Sequence, residues 1–154
     1  MIKISHRGNI NGPSKNTENN PKQITKVLEA SYDCEIDVWY VNGKLILAHS
    51  LQEDINYTVN DDFLKKKGLW CHAKNLDAVN YLKNLNVNFF WHEEDEITIT
   101  SKNWIWCHPK IKNTTKISNS IICLPEINKK KINYFDGFCS DFVENFSIKF
   151  KECL

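Results

Sequence analysis

Segments with a two-residue apolar period alternate with segments of helical period along most of this chain, and about eight of the former can be counted. At 154 residues, each strand unit has under ~20 residues, where a complete βαβ unit takes ~30. Together these observations predict an α/β fold: parallel strands with right-handed crossovers, arranged as a reduced or partly open TIM-type (β/α) barrel with some outer helices missing. Residues 1–154 read as a single domain, because domains commonly run to roughly 100–150 residues. A chain of this size should bury about 70% of its extended surface, so a core can form without disulfide or metal staples.

Lys3 to Ser5 is a short first strand. Asn20-Pro21 starts a helix, with Asn as cap and Pro at the first helical position, and Ile24, Val27, Leu28 and Ser31 share one face. Cys34 to Tyr40 and Lys44 to His49 alternate in the strand manner around Val41-Asn42-Gly43, whose Asn-Gly pair supplies the positive φ angles of a hairpin turn. After a loop, Asp61-Asp62 should cap a short helix from Phe63 to Lys67 that Gly68 ends. The strand Leu69 to Lys74 follows, then a helix from Asn75 through Leu85 carrying Leu76, Val79, Leu82 and Leu85, then the strand Val87 to Trp91. Ile97 to Thr100, Asn103 to Cys107 and Ser120 to Leu124 read as strands without helices between them. The chain closes on a helix from Pro125 to Phe135, a strand from Gly137 to Ser140 and a helix from Val143 to Lys151.

Charge and cysteine usage exclude several classes. The net charge of +1, with acids and bases mixed, gives no basic stripe for nucleic acid. The lysine runs 65–67 and 129–131 read as solvated faces. No stretch approaches the ~20 apolar residues of a membrane span, so integral membrane contact is not expected. Six cysteines without paired spacing, and an N-terminus lacking a long apolar run, predict a reduced protein of the cytoplasm.

The chemistry concentrates in the first fifty residues. Ser5-His6-Arg7-Gly8 ends the first strand, Thr17-Glu18-Asn19 follows, Cys34-Glu35-Ile36-Asp37 opens the second strand and Ala48-His49 ends the third. Glu35 and Asp37 are two apart on a strand and share one face, with Cys34, Ile36 and Val38 on the other. Two carboxylates facing one interior are explained economically by a hard divalent cation such as Mg²⁺ or Ca²⁺ between them; a solvated strand face is the plainer alternative. His6 and His49 end separate strands, where a barrel gathers its reactive groups, and imidazoles can serve as both acid and base in displacement at phosphorus. Arg7 offers a cationic fork for phosphate oxygens, or a partner for Glu18.

In this order, H-R-G, E-N, E-x-D and a strand ending in His resemble the signature of glycerophosphodiester phosphodiesterases, over Ile4 to Ser50. Phe138-Cys139-Ser140-Asp141 resembles the family's closing strand. The resemblance implies a TIM barrel that hydrolyses small phosphodiesters with a divalent cation. It implies that His6 and His49 are the acid/base pair, Arg7 a phosphate contact, Glu35 and Asp37 metal ligands, and Glu18 and Asn19 supporting residues. The family usually takes a third carboxylate from E-x-K on the next strand, where this chain has His72-Ala73-Lys74. His72 as a ligand favours a softer ion such as Mn²⁺ or Zn²⁺; Glu93, Glu94 or water are the other sources of a third ligand. Lys74 matches the family's lysine and should lie near the substrate phosphate. Trp70 should face inward with His72 by strand alternation, as a substrate wall.

Two rival readings stand beside this one. A degenerate barrel would bind phosphate or a phospholipid headgroup without turnover. Cys71-His72 and Cys107-His108 would contribute to a zinc site, although adjacent residues on a strand point to opposite faces. Missing outer helices predict uncovered apolar surface and hence self-association.

Overall fold

The computed structural model describes residues 1–52, 55–112 and 115–154. Its strands are β1 (Ile2–His6), β2 (Asp33–Val41), β3 (Lys44–Leu47), β4 (Tyr57–Val59), β5 (Leu69–Ala73), β6 (Phe89–Phe90), β7 (Ile97–Ile99), β8 (Ile105–Cys107), β9 (Ser120–Cys123) and β10 (Gly137–Ser140). The helices are α1 (Pro21–Glu29), α2 (Asp61–Leu64), α3 (Leu76–Leu82) and α4 (Phe146–Lys149).

β2 is the hub, because its nine residues pair with three neighbours. Its first part is parallel to β1, its middle is parallel to β5, and its last four residues form an antiparallel hairpin with β3. From β1 the parallel run continues through β10 and β9 to β8; on the other side β5 is parallel to β6. The sheet ends on β4, antiparallel to β3, on β7, antiparallel to β8, and on β6, which pairs with β5 alone.

The sheet curls strongly. Ile4, Trp70, Phe90, Trp106, Ile121 and Cys139, from six different strands, meet in one buried cluster on its concave side. Ser101, in the turn after β7, gives its N–H to Phe89 O at 2.7 Å and its hydroxyl to Val87 O at 2.8 Å, so the far margin reaches β6. Among the described residues no strand ladder crosses that seam. The expectation of a TIM-type barrel is therefore met only as a mixed α/β fold with a curled, mainly parallel sheet and few helices.

Helices α1 and α3 cover the convex face of the first half, where Ile24, Val27, Ala78 and Leu82 pack on Ile36, Val38, Cys71 and Ala73. Asn20 and Asn75 cap these helices as the sequence predicts, through Lys22 N and Ala78 N. Asn60, and not Asp61 or Asp62, caps α2. α3 ends at Leu82 instead of Leu85, because Asn86 turns left-handed at φ 55. Its buried face is Ala78 and Leu82, while Leu76 is 59% exposed.

The second half departs further from expectation. No helix forms over 125–135; Lys129 takes φ 49 and ends a turn in which Lys130 N bonds Pro125 O, leaving only a 3₁₀ turn at Ile132–Tyr134. The helix expected from Val143 to Lys151 shrinks to α4. Phe138, Phe146, Ile122 and Phe135 still build a convex-side core here, through irregular backbone. β4, expected as loop, is a strand. β6 is two residues long, and β7 pairs antiparallel to β8 around Asn103 at φ 63. Among the described residues, no helix is long and apolar enough to cross a membrane, and all six cysteines are free thiols.

Candidate active site

At the end of β1 the backbone turns sharply, and this turn builds one wall of the site. Arg7 sits at φ 53 and Gly8 at φ 89, a left-handed conformation that costs a non-glycine residue of order 1 kcal/mol or more. Arg7 N bonds Glu35 O at 3.0 Å, and Arg7 O accepts from Asn19 N at 2.8 Å. Asn19 is itself left-handed at φ 56. Its side chain donates to Asp37 Oδ2 at 3.1 Å and accepts from Asp37 N at 2.9 Å. Two strained residues thus lock H-R-G, E-N and E-x-D into one unit.

Alternation on β2 sends Glu35 and Asp37 to the concave side and Cys34, Ile36 and Val38 into the convex core, as predicted. Glu35 is 2% exposed and Asp37 fully buried. Asp37 Oδ2 lies 2.9 Å from Arg7 Nε and 3.6 Å from His49 Nδ1; Asp37 Oδ1 lies 3.3 Å from His72 Nδ1 and 3.5 Å from Lys74 Nζ. Arg7 Nε is badly aligned for a hydrogen bond despite its distance, and Asp37 Oδ1 is buried without a donor. Burial works to raise the Asp37 pKa, but His49, His72, Arg7 and Lys74 hold it well below the carboxylate range. Burial and the neighbouring Asp37 push Glu35 the other way, upward.

His6 points its Nδ1 edge at Asp141 Oδ1, 2.8 Å away, and its Nε2 edge toward Glu35 Oε2 at 3.9 Å. Burial alone would discharge this imidazole. The Asp141 hydrogen bond and the Glu35 charge outweigh it and push the His6 pKa up to about 9, so the ring is a cation at neutral pH. Asp141 also accepts from Asn9 Nδ2 at 2.8 Å, and Asn9 in turn donates to Glu18 at 3.0 Å. Glu18 completes the chain by meeting Arg7 Nη1 at 3.4 Å.

β5 is the register partner of β2, with Asp37 opposite His72. The His72 ring is stacked on Phe90 at 5.0 Å and on His92 at 4.7 Å, within 9° and 5° of parallel. Glu35, Asp37 and His72 offer donor atoms within 4.8 Å of one another, a grouping able to hold a metal ion. Asp37 Oδ1 meets His72 and Lys74 without a well-aligned hydrogen bond, and so keeps an acceptor site for that use.

These side chains open onto a cavity of about 420 Å³. All five histidines of the chain line it: His6, His49, His72, His92 and His108. Arg7, Glu35 and Lys74 share its polar wall, and Phe90, Trp91, Trp106 and Leu124 form an apolar one. Burial, then the neighbouring His72, lowers the His92 pKa to about 4.

Of the residues singled out from sequence, His6, Arg7, Glu35, His49, His72 and Lys74 line this cavity. Asp37 and Asn19 lie buried in contact with them, and Glu18 reaches them through Arg7 and Asn9. Trp70 is a correction. It faces inward as alternation predicts, but it sits one residue pair below His72, donates Nε1 to Asp33 Oδ2 at 2.9 Å and packs in the concave core without lining the cavity. The aromatic residues that line the cavity are instead Phe90, Trp91 and Trp106. Glu94 does not line the cavity, whereas Glu93 does. Cys71 and Cys107 point into the convex cores, away from His72 and His108 on the cavity, so neither pair shares a zinc site. Asp141, Asn9 and His92 join the cluster beyond the residues singled out from sequence, and only Asp141 has a sequence signal, the Cys139-Ser140-Asp141 match. No family model, curated protein or solved structure matches the chain.

Proposed function

We propose that this protein is a metal-assisted phosphodiester hydrolase acting on small glycerophosphodiester-like substrates by paired histidine acid-base chemistry. One observation carries the reading: a His6 imidazolium backed by Asp141, a second imidazole at His49 and the cations Arg7 and Lys74 converge on a carboxylate-imidazole cluster beside an open cavity. Four carboxylates here (Glu18, Glu35, Asp37, Asp141) face three cations (Arg7, Lys74 and charged His6). A dication would offset that excess of negative charge and favour the approach of a phosphodiester monoanion.

In this reading, Asp141 holds the His6 Nδ1 proton and leaves Nε2 to protonate the departing alkoxide. His49, 46% exposed at the side chain, takes the proton of an attacking hydroxyl on the substrate, and a cyclic phosphate is a natural first product. Arg7 and Lys74 orient the phosphoryl oxygens and balance charge gathering on them. Glu35, Asp37 and His72 would hold a divalent cation, which supplies further electrostatic stabilisation of those oxygens when bound. The apolar wall takes one of the two alcohol groups.

A second reading rests on the four basic side chains already surrounding Asp37, which suit a phosphate- or phospholipid-headgroup-binding module that does not turn over. Cleavage of glycerophosphocholine and a chromogenic diester, with Mg²⁺, Ca²⁺, Mn²⁺ or EDTA, separates the two. Metal-dependent turnover that falls by ~10² or more in His6→Ala and in His49→Ala supports the hydrolase. A folded protein inert with every metal leaves the binding module as the better reading.

A further inference from the structure

We infer that the Glu35–Asp37–His72 cluster selects a first-row transition ion of the Mn²⁺, Co²⁺ or Zn²⁺ class over Mg²⁺ and Ca²⁺, with His72 Nδ1 as the selecting ligand. This deepens the proposed function and rests on its metal site.

The donor set is the first reason. Two carboxylates and one imidazole lie with ligand atoms within 4.8 Å of one another. Mg²⁺ and Ca²⁺ take oxygen ligands almost exclusively, whereas imidazole nitrogen suits Zn²⁺ and its first-row neighbours, with affinity lowest for Mn²⁺ and rising through Co²⁺. Buried Asp37 turns Oδ1, which makes no well-aligned hydrogen bond, toward this imidazole, 3.3 Å from His72 Nδ1.

Preorganisation is the second reason. A surface histidine would choose among rotamers, but His72 is held by near-parallel stacking against Phe90 and His92, whose own rings lie 6.0 Å apart, and by its place opposite Asp37 on the paired strand. The ring's Nδ1 edge therefore faces both carboxylates, at 3.3 Å from Asp37 Oδ1 and 3.8 Å from Glu35 Oε1. A binding ion gains the nitrogen ligand without first ordering it.

The test is binding of Mn²⁺, Co²⁺, Zn²⁺, Mg²⁺ and Ca²⁺ to the metal-stripped full chain, by calorimetry, for the natural protein and for His72→Glu. Because transition ions bind most sites somewhat more tightly, the informative quantity is the Mn²⁺/Mg²⁺ affinity ratio. It should fall by ~10-fold or more in His72→Glu, since even outer-shell changes alter metal affinity by 10–100-fold. An unchanged ratio in a folded His72→Glu protein overturns the inference. Pulsed electron paramagnetic resonance on the Mn²⁺-loaded natural protein, where nitrogen modulation reports a bound imidazole, gives a readout independent of how the variant folds. Modulation supports the inference, and its absence overturns it. Nitrogen-ligated Mn²⁺ without diester cleavage upholds the metal selection and refutes the hydrolase. Cleavage supported equally by Mg²⁺, with no nitrogen ligation, does the reverse.

Discussion

Replacing Asp141 with Asn removes the charge that holds His6 protonated while keeping the side chain's size and its capacity to accept from Asn9. In the folded protein the His6 pKa stands at about 9 against an ordinary 6.5, which corresponds to roughly 3 kcal/mol of preference for the imidazolium. Burial opposes that charge and persists in the variant, so the His6 pKa should fall by ~1–3 pH units, toward its ordinary value. The sign follows from the raised folded-state pKa. The stabilisation is complete below about 6.5, the unfolded value, and is lost as pH rises through about 9. Asp141→Asn should therefore be less stable than the natural protein at pH 6 and nearly equal to it above pH ~10. Histidine ring ¹H–¹⁵N spectra titrated from pH 5 to 10, with His6 assigned from His6→Ala, measure the pKa; urea midpoints at the two extremes measure the stability. A His6 midpoint that stays near 9 in Asp141→Asn would refute the pairing, and a stability gap independent of pH would refute the linkage.

Further perturbations test the frame of the site. At Gly137 an added Cβ would meet Ile121 Cδ1 at 2.6 Å, Ile2 O at 2.7 Å and Ile2 Cβ at 2.8 Å; Gly137→Ala should destabilise by ~1–3 kcal/mol, read as a lower urea midpoint. Trp70→Phe loses the bond to Asp33 and should cost about 1 kcal/mol while leaving any diester KM unchanged; a raised KM would restore Trp70 to the substrate wall. Arg7→Lys abandons Asp37 and Glu18 together and should lower stability by ~1–3 kcal/mol, with equal stability showing those contacts to be idle. Asp37 and Asp141 both titrate below the ordinary carboxylate pKa of 3.8. Their contribution is thus present above that value and vanishes as pH falls through their folded pKa values, so an acid unfolding transition below pH ~4 should shift upward in Arg7→Lys. Sedimentation at micromolar concentration tests self-association; a single monomer mass counts against it.

The site was more legible in the sequence than the fold around it, and the reasons are local. Glu35 and Asp37 two apart on a strand, with Ile36 and Val38 between and after them, leave only one arrangement once one face is buried. The caps at Asn20 and Asn75 are equally local. Trp70 was placed on the correct face but at the wrong depth, because period two says which side a residue points to and nothing of how far down a curled sheet it lies. The helix expected over 125–135 failed through Lys129, whose left-handed backbone no propensity announces. The antiparallel pairing of β7 with β8 hung on Asn103 in the same way. The His6–Asp141 bond is set by β1 lying beside β10, a neighbour relation that no periodicity carries.

That bond has a consequence for how the candidate site assembles. His6 and Asp141 are 135 residues apart in the chain, and they meet only when β10 slots between β1 and β9. Closing so long a loop comes late in a folding reaction, since its entropy must be met before the contact rewards it. Before then β1 lacks a partner on one side, and His6 lacks the charge that protonates it. Glu35, Asp37 and Asn19 can be in register from nearby segments well before this. A half-folded chain would hold its acidic cluster without the partner that charges His6, so the imidazolium at the cavity would arrive with the last strand, as a readout of complete folding.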